Sequence, residues 1–166
     1  LTNDTSSLSS RYRDAMAHYA GHVQVVTTAS GGALRGVTAT ACCSVSDDPP
    51  TVLACVNRHN ARNVIFQESG NFAVNSLSSE QQPLADLFSG RTGVENDERF
   101  DHAVWEYGVS GAPILAGTMA TFDCQLIEAR EMATHFVLFG AVQDVRIGSD
   151  REPLLYFGRA YRRLVI

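Results

Sequence analysis

The order of its apolar runs constrains this chain most. Residues 23–28, the stretch from Leu34, and residues 51–57, 72–77, 119–128 and 135–147 are β-branched or alternating runs. Gly, Pro, Asp and Ser punctuate them, so they read as strands. Ser30-Gly31-Gly32 marks a hairpin turn between the first two, and residues 129–134 join the last two in the same way. Three segments have helical spacing: 10–19, with Tyr12, Met16 and Tyr19 on one face, then 60–68 and 80–88. Residues 89–100 read as a polar surface loop, and short strands over 154–157 and 161–166 close the chain. Strands and helices do not alternate, which excludes a doubly wound parallel sheet. A small closed or split antiparallel barrel fits. With no repeat or linker, residues 11–166 read as one domain after a polar, serine-rich arm over 1–10.

Composition then removes classes of chemistry. All 13 basic residues are arginine. No lysine exists for a Schiff base, a pyridoxal anchor or a P-loop. The net charge of −5 argues against a general nucleic-acid binder. Cys42, Cys43, Cys55 and Cys124 contain no C-x-x-C pair. They read as reduced thiols in a cytoplasmic protein. No apolar run is long enough for a spanning helix and the start does not resemble a leader, so no membrane association is expected.

Two stretches carry chemistry. Over 36–46, Thr38, Thr40, Cys42, Ser44 and Ser46 alternate with Val37, Ala39, Ala41, Cys43 and Val45. One face of such an extended chain is apolar, and the other carries hydroxyls and a thiol without charge. That second face reads equally as the outer face of an ordinary strand or as a wall for a neutral, hydrogen-bonding ligand. Asn60-Ala61-Arg62-Asn63 follows the strand end Cys55-Val56-Asn57-Arg58 and opens a helix. It reads either as a plain Asn-capped start or as a phosphate site assisted by arginine.

Other motifs are absent or incomplete. There is no G-x-G-x-x-G, and Gly108-Val109-Ser110-Gly111 lacks the spacing of a nucleophile elbow. His18 and His22 stand at i and i+4, but Gly21 interrupts the helix between them. No metal is expected there or at Cys42-Cys43 with Cys55.

Taken in order, several short motifs resemble those of the short-chain flavin reductase family. They are Gly36-Val37-Thr38-Ala39-Thr40, Ser44-Val45-Ser46, Pro49-Pro50, Cys55-Val56-Asn57 and Ser69-Gly70-Asn71-Phe72-Ala73-Val74-Asn75-Ser76-Leu77. Glu98-Arg99-Phe100, Ala112-Pro113-Ile114-Leu115, Thr134-His135 and Pro153-Leu154-Leu155-Tyr156-Phe157 follow. The resemblance spans nearly the whole chain. It implies a mainly β fold with a few helices, an antiparallel split barrel of the flavin reductase type, working as a homodimer. It departs at His59 and Ala61, where many members carry a hydroxyl, and at Ala133-Thr134-His135, where many carry Gly-Asp-His.

The implied activity is NAD(P)H-dependent reduction of flavin, FMN or FAD, with reduced flavin passed to a partner monooxygenase. Two alternatives share the fold: a flavin-dependent reductase of a Co(II) corrin, and a non-enzymatic module holding flavin or haem. The resemblance implies that Thr38, Ala39, Thr40, Ser44, Val45 and Ser46 face the flavin ring and ribityl chain, flanked by Cys55, Val56 and Asn57. It places Asn60, Arg62 and Arg91 nearer the phosphate, His135 by the nicotinamide of NADH or NADPH or its pyrophosphate, and Tyr161 at the rim.

Overall fold

The computed structural model describes residues 7–149 and 152–164. The described strands are β1 (Gly21–His22), β2 (Gln24–Ser30), β3 (Ala33–Ala39), β4 (Cys42–Asp47), β5 (Pro50–Asn57) and β6 (Asn71–Ser76). They continue as β7 (Trp105–Tyr107), β8 (Pro113–Leu115), β9 (Ala120–Met132), β10 (His135–Ile147), β11 (Leu154–Phe157) and β12 (Ala160–Arg163). The helices are α1 (Leu8–Met16), α2 (Ile65–Glu68) and α3 (Gln82–Phe88), with 3-10 turns at Ala61–Val64, Ser79–Gln81 and Glu98–His102.

Seven strands form one antiparallel sheet in the order β3-β2-β6-β9-β10-β5-β4. Its two terminal strands are consecutive in the chain. β3 runs through Thr40 and Ala41 into β4, and the Cys55 amide donates to the Ala41 carbonyl at 2.9 Å. That link curls the sheet into a barrel. Val26, Phe66, Phe72, Val74, Cys124 and Leu138 fill its interior. Successive strand residues face opposite ways, so Val25 points away from Val26. It joins a second core with Val23, Leu77, Phe88, Phe100, Leu115 and Leu154. β2 is therefore buried on both faces. β10 crosses the interior at Gly140, where a Cβ would lie 2.4 Å from the Phe72 ring, so no side chain fits.

Several sequence-based boundaries are corrected. The run over 36–46 is two strands, because the chain turns a corner at Thr40-Ala41 to reach the other edge of the sheet. The expected arm over 1–10 overlaps α1, whose Ser7 side chain caps it by accepting from the Ser10 amide; residues 1–6 lie outside the described residues. α1 ends at Met16, and its apolar face is not buried within the chain: Tyr12 and Tyr19 are 63% and 73% exposed. The segment 60–68 is a short 3-10 turn followed by one α turn. The β9–β10 hairpin closes with only Ala133 and Thr134 between paired Met132 and His135. The last strand is described to Arg163, and residues 165–166 lie outside the described residues.

Candidate active site

The barrel is not closed along its full height. Among the described residues, β3 is a terminal strand with no strand on its outer edge. β5 runs past β4, which pairs with it only as far as Ala54, so Cys55–Asn57 extend beyond that partner. A cleft of about 560 Å³ lies between these two stretches. Arg35, Val37, Thr38, Ala39 and Thr40 form one wall and Cys55, Val56, Asn57, Asn60 and Asn63 the other; Phe88, Ser89, Gly90, Arg99 and His135 also line it. The hydroxyls and side-chain amides along these walls suit capture of a polar ligand. Thr38 fixes its wall by donating its hydroxyl to the Ala85 carbonyl of α3 at 2.7 Å. Gly36 allows α3 to come this close, because a Cβ there would meet the Phe88 ring at 2.6 Å.

The charge in this cleft is unusual. Arg35 is 5% exposed. Its Nε donates to Asn63 Oδ1 at 2.6 Å and its Nη1 to Asn96 Oδ1 at 2.7 Å. Both amides are anchored in turn: Asn63 donates to the Asn57 carbonyl and Asn96 to the Leu34 carbonyl, each at 2.7 Å. Among the described residues, no carboxylate forms an ion pair with Arg35. Burial, then Arg99 and Arg62, pull its guanidinium down to about 10, against an opposing pull from Asp97. Arg99 is braced separately, donating from Nε to the Val94 carbonyl at 2.9 Å. Two guanidinium groups thus line a cleft that also offers amides and hydroxyls. Neutral partners do not cancel charge, so the site is built for an anion.

A family model described as a flavin reductase like domain matches residues 16–165. The chain belongs to this family.

Its relatives include the 4-hydroxyphenylacetate 3-monooxygenase reductase component of Salmonella typhimurium, 40% identical over 151 residues that cover 91% of this chain and 89% of the relative. The FMN reductase (NADH) RutF of Pseudomonas syringae is 42% identical over 153 residues, covering 92% and 85%. Among solved structures, the Streptomyces globisporus NADH:FAD oxidoreductase SgcE6 in complex with NAD and FAD fragments superposes with a TM-score of 0.84 at 30% identity, covering 95% of this chain and 93% of that one. The strand-rich, non-alternating order and the split barrel expected from the sequence are those of a flavin reductase.

In this flavin reductase, Thr38, Ala39, Thr40, Cys55, Val56, Asn57, Asn60 and His135 border the cleft together. The other expected residues stand elsewhere. Ser44 and Ser46 border a separate, mostly apolar hollow of about 210 Å³ with Val74, Phe122 and Val142, and Val45 is exposed. The corner at Thr40-Ala41 carries β4 away from the cleft, and a bulge between Ser44 and Ser46 breaks its alternation again. Arg62 lies outside the cleft wall and pairs with Glu95 at 3.3 Å. Its backbone N–H is taken by the Asn60 side chain at 3.0 Å, so the turn after Asn60 has one fewer free amide for a phosphate. Arg91 and Tyr161 border a neighbouring hollow that shares the Thr38–Thr40 wall.

Arg35, Asn63 and Arg99 are the cleft residues that sequence reasoning missed. One signal was present. Arg35 stands two residues before Val37 and so shares the face of Val37 and Ala39, where a charge has no place in an ordinary apolar face. His135 opens β10 opposite Asn57, and its Nδ1 lies 2.8 Å from the Thr134 hydroxyl, which orients the ring. Two of the cysteines are held as thiols by their environment. Burial first, then nearby Cys55 and Cys43, push Cys42 up to about 12. Burial first and Asp123 second push Cys124 to about 12 as well.

Proposed function

We propose that this flavin reductase holds FMN or FAD in the cleft between β3 and β5, reduces it with NADH or NADPH, and passes the reduced flavin to a partner monooxygenase. The guanidinium groups of Arg35 and Arg99, both lining the cleft and Arg35 held by neutral amides, beside an uncharged wall carry this reading, because a flavin joins a neutral ring and polyol to an anionic phosphate. Bound flavin supplies the hydride-accepting centre and the nicotinamide supplies the hydride. The chain's own task is to position and solvate. Thr38, Ala39 and Thr40 on one wall and Cys55, Val56 and Asn57 on the other present backbone and side-chain groups to the ring and ribityl chain. Such fixed dipoles stabilise charge developing on a ring without a titrating residue. Arg35, Arg99 and Asn60 take the phosphate end. His135, oriented by Thr134, stands by the nicotinamide as a positioning residue.

The homodimer and the cytoplasm belong to the same proposal. The exposed Tyr12, Met16 and Tyr19 border a hollow of about 510 Å³ with Thr40, Ala41 and Leu53, beside the cleft, and a second copy would cover it. Free thiols suit a reducing compartment, and no described helix is long and apolar enough to cross a membrane. The relatives named above carry reductase names, which favours catalysis over a module that only holds flavin or haem. Neither name mentions a corrin.

The test is the initial rate of NADH consumption with added FMN. We expect consumption to depend on both protein and FMN; a rate equal to that without protein would remove the proposal. In the same assay His135→Ala should raise the KM for NADH severalfold and leave that for FMN unchanged. Unchanged kinetics for both would remove the role given to His135.

A further inference from the structure

We propose that the open end of the barrel is a second binding site, which takes a small neutral molecule with one apolar ring and one carbonyl oxygen. The hollow of about 210 Å³ beside Ser44 is that open end. It is ringed by Gln24 of β2, Ser44 of β4, Val52 of β5, Val74 of β6, Phe122 of β9 and Val142 of β10. All the strands of the large sheet except β3 thus converge on it. The other end of the interior is plugged. Phe66 of α2 is fully buried there, and Thr28, near the far end of β2, donates its hydroxyl to Ser69 just past α2 at 2.7 Å. A barrel mouth is a common place for a small ligand. No residue lines both this hollow and the cleft between β3 and β5, so the site stands apart from the flavin reading.

The lining selects the ligand. Among the described residues, no charged side chain borders the hollow. A carboxylate, phosphate or ammonium group entering it would lose water without gaining a counter-charge. Apolar cavities of about 150 Å³ hold one benzene molecule, so this one has room for a single substituted ring. One polar group sets the ligand's other end. Gln24 is 8% exposed. Its Oε1 accepts from the Ser76 hydroxyl at 2.7 Å. Among the described residues, its Nε2 reaches only the His22 carbonyl, at 3.5 Å, the outer limit of a hydrogen bond. A buried amide nitrogen carries two N–H donors and is costly to leave without close acceptors. The oxygen of Gln24 is occupied and its nitrogen is poorly satisfied. The matching ligand atom is therefore an acceptor, a carbonyl oxygen.

The experiment titrates the 15N-labelled full chain with acetophenone, with ethylbenzene, which keeps the ring and lacks the oxygen, and with benzoate, which adds a charge. Nuclear magnetic resonance reads the shifts, and circular dichroism verifies folding of Gln24→Leu and Val142→Phe. For the wild type we expect saturable binding of acetophenone that moves the Gln24 side-chain amide signal, no saturable binding of benzoate, and no change on saturation with FMN. Gln24→Leu should weaken acetophenone by about tenfold, the loss of one buried hydrogen bond, and leave ethylbenzene within about twofold. Val142→Phe fills the hollow and should abolish binding of both. The wild-type titration decides alone if neither variant folds. Failure of acetophenone to bind, a Gln24 amide signal that does not move, or displacement by FMN would overturn the inference. So would equal effects of Gln24→Leu on acetophenone and ethylbenzene.

Discussion

In the proposed flavin site Arg35 takes the place that lysine holds in many phosphate sites, in a chain that has no lysine. A guanidinium held by Asn63 and Asn96 keeps its charge and its geometry together. Removing the charge should weaken FMN by about tenfold or more and leave riboflavin, which has no phosphate, unchanged; equilibrium dialysis with Arg35→Gln checks this. The same residue sets a pH dependence. Its folded value of about 10 lies below the ordinary 12.5, so the folded chain releases this proton before the unfolded chain does. The cost of burying the charge is present at neutral pH and relieved as pH rises through about 10. The grip on phosphate goes with it. FMN affinity should therefore fall relative to riboflavin through that range, and riboflavin controls for titration of the ring itself.

Elements were legible where periodicity was local. The alternation over 135–147 and the helical spacing over 80–88 each reflect neighbours within one element. The corner at Thr40-Ala41 was not legible, because a chain that leaves one sheet edge and enters the other keeps its alternation in sequence. The β7–β8 pair was also missed, since three residues per strand are too few to show a period. The β9–β10 hairpin carries a cost that can be measured. Ala133 has φ +48° in a two-residue turn, where a Cβ is disfavoured. Its side chain is exposed, so no packing offsets the strain. Ala133→Gly should raise stability by about 0.5–1 kcal/mol after the added freedom of the unfolded chain is counted. Thermal unfolding should show a rise of about 2–3 °C.

At the scale of the whole molecule, the sequence placed both walls of the cleft. Thr38–Thr40 and Cys55–Asn57 come from runs 15 or more residues apart that the barrel brings together. It did not place Arg99, which reaches the cleft from a segment that reads as surface loop, nor show that Ser44 and Ser46 border a separate hollow. Both depend on how distant segments fold over the barrel. The unpartnered face of α1 also belongs to this scale. That helix is tied to its own chain near its end, by Arg159 to Asp14 at 2.5 Å and by the Gly158 amide to the Ala17 carbonyl at 2.8 Å. It presents Tyr12 and Met16 outward, and Tyr19 follows just beyond its end. Light scattering should give twice the chain mass, and Met16→Glu should shift it toward the monomer; a wild-type monomer would contradict the dimer. In the proposed function, flavin is reduced in the split between β3 and β5. Ala39 lines that split, and Ala39→Phe would fill it. Under nitrogen, NADH added to protein with FMN should bleach the visible flavin band for the wild-type chain and not for folded Ala39→Phe. Bleaching at the same rate in both would contradict the account.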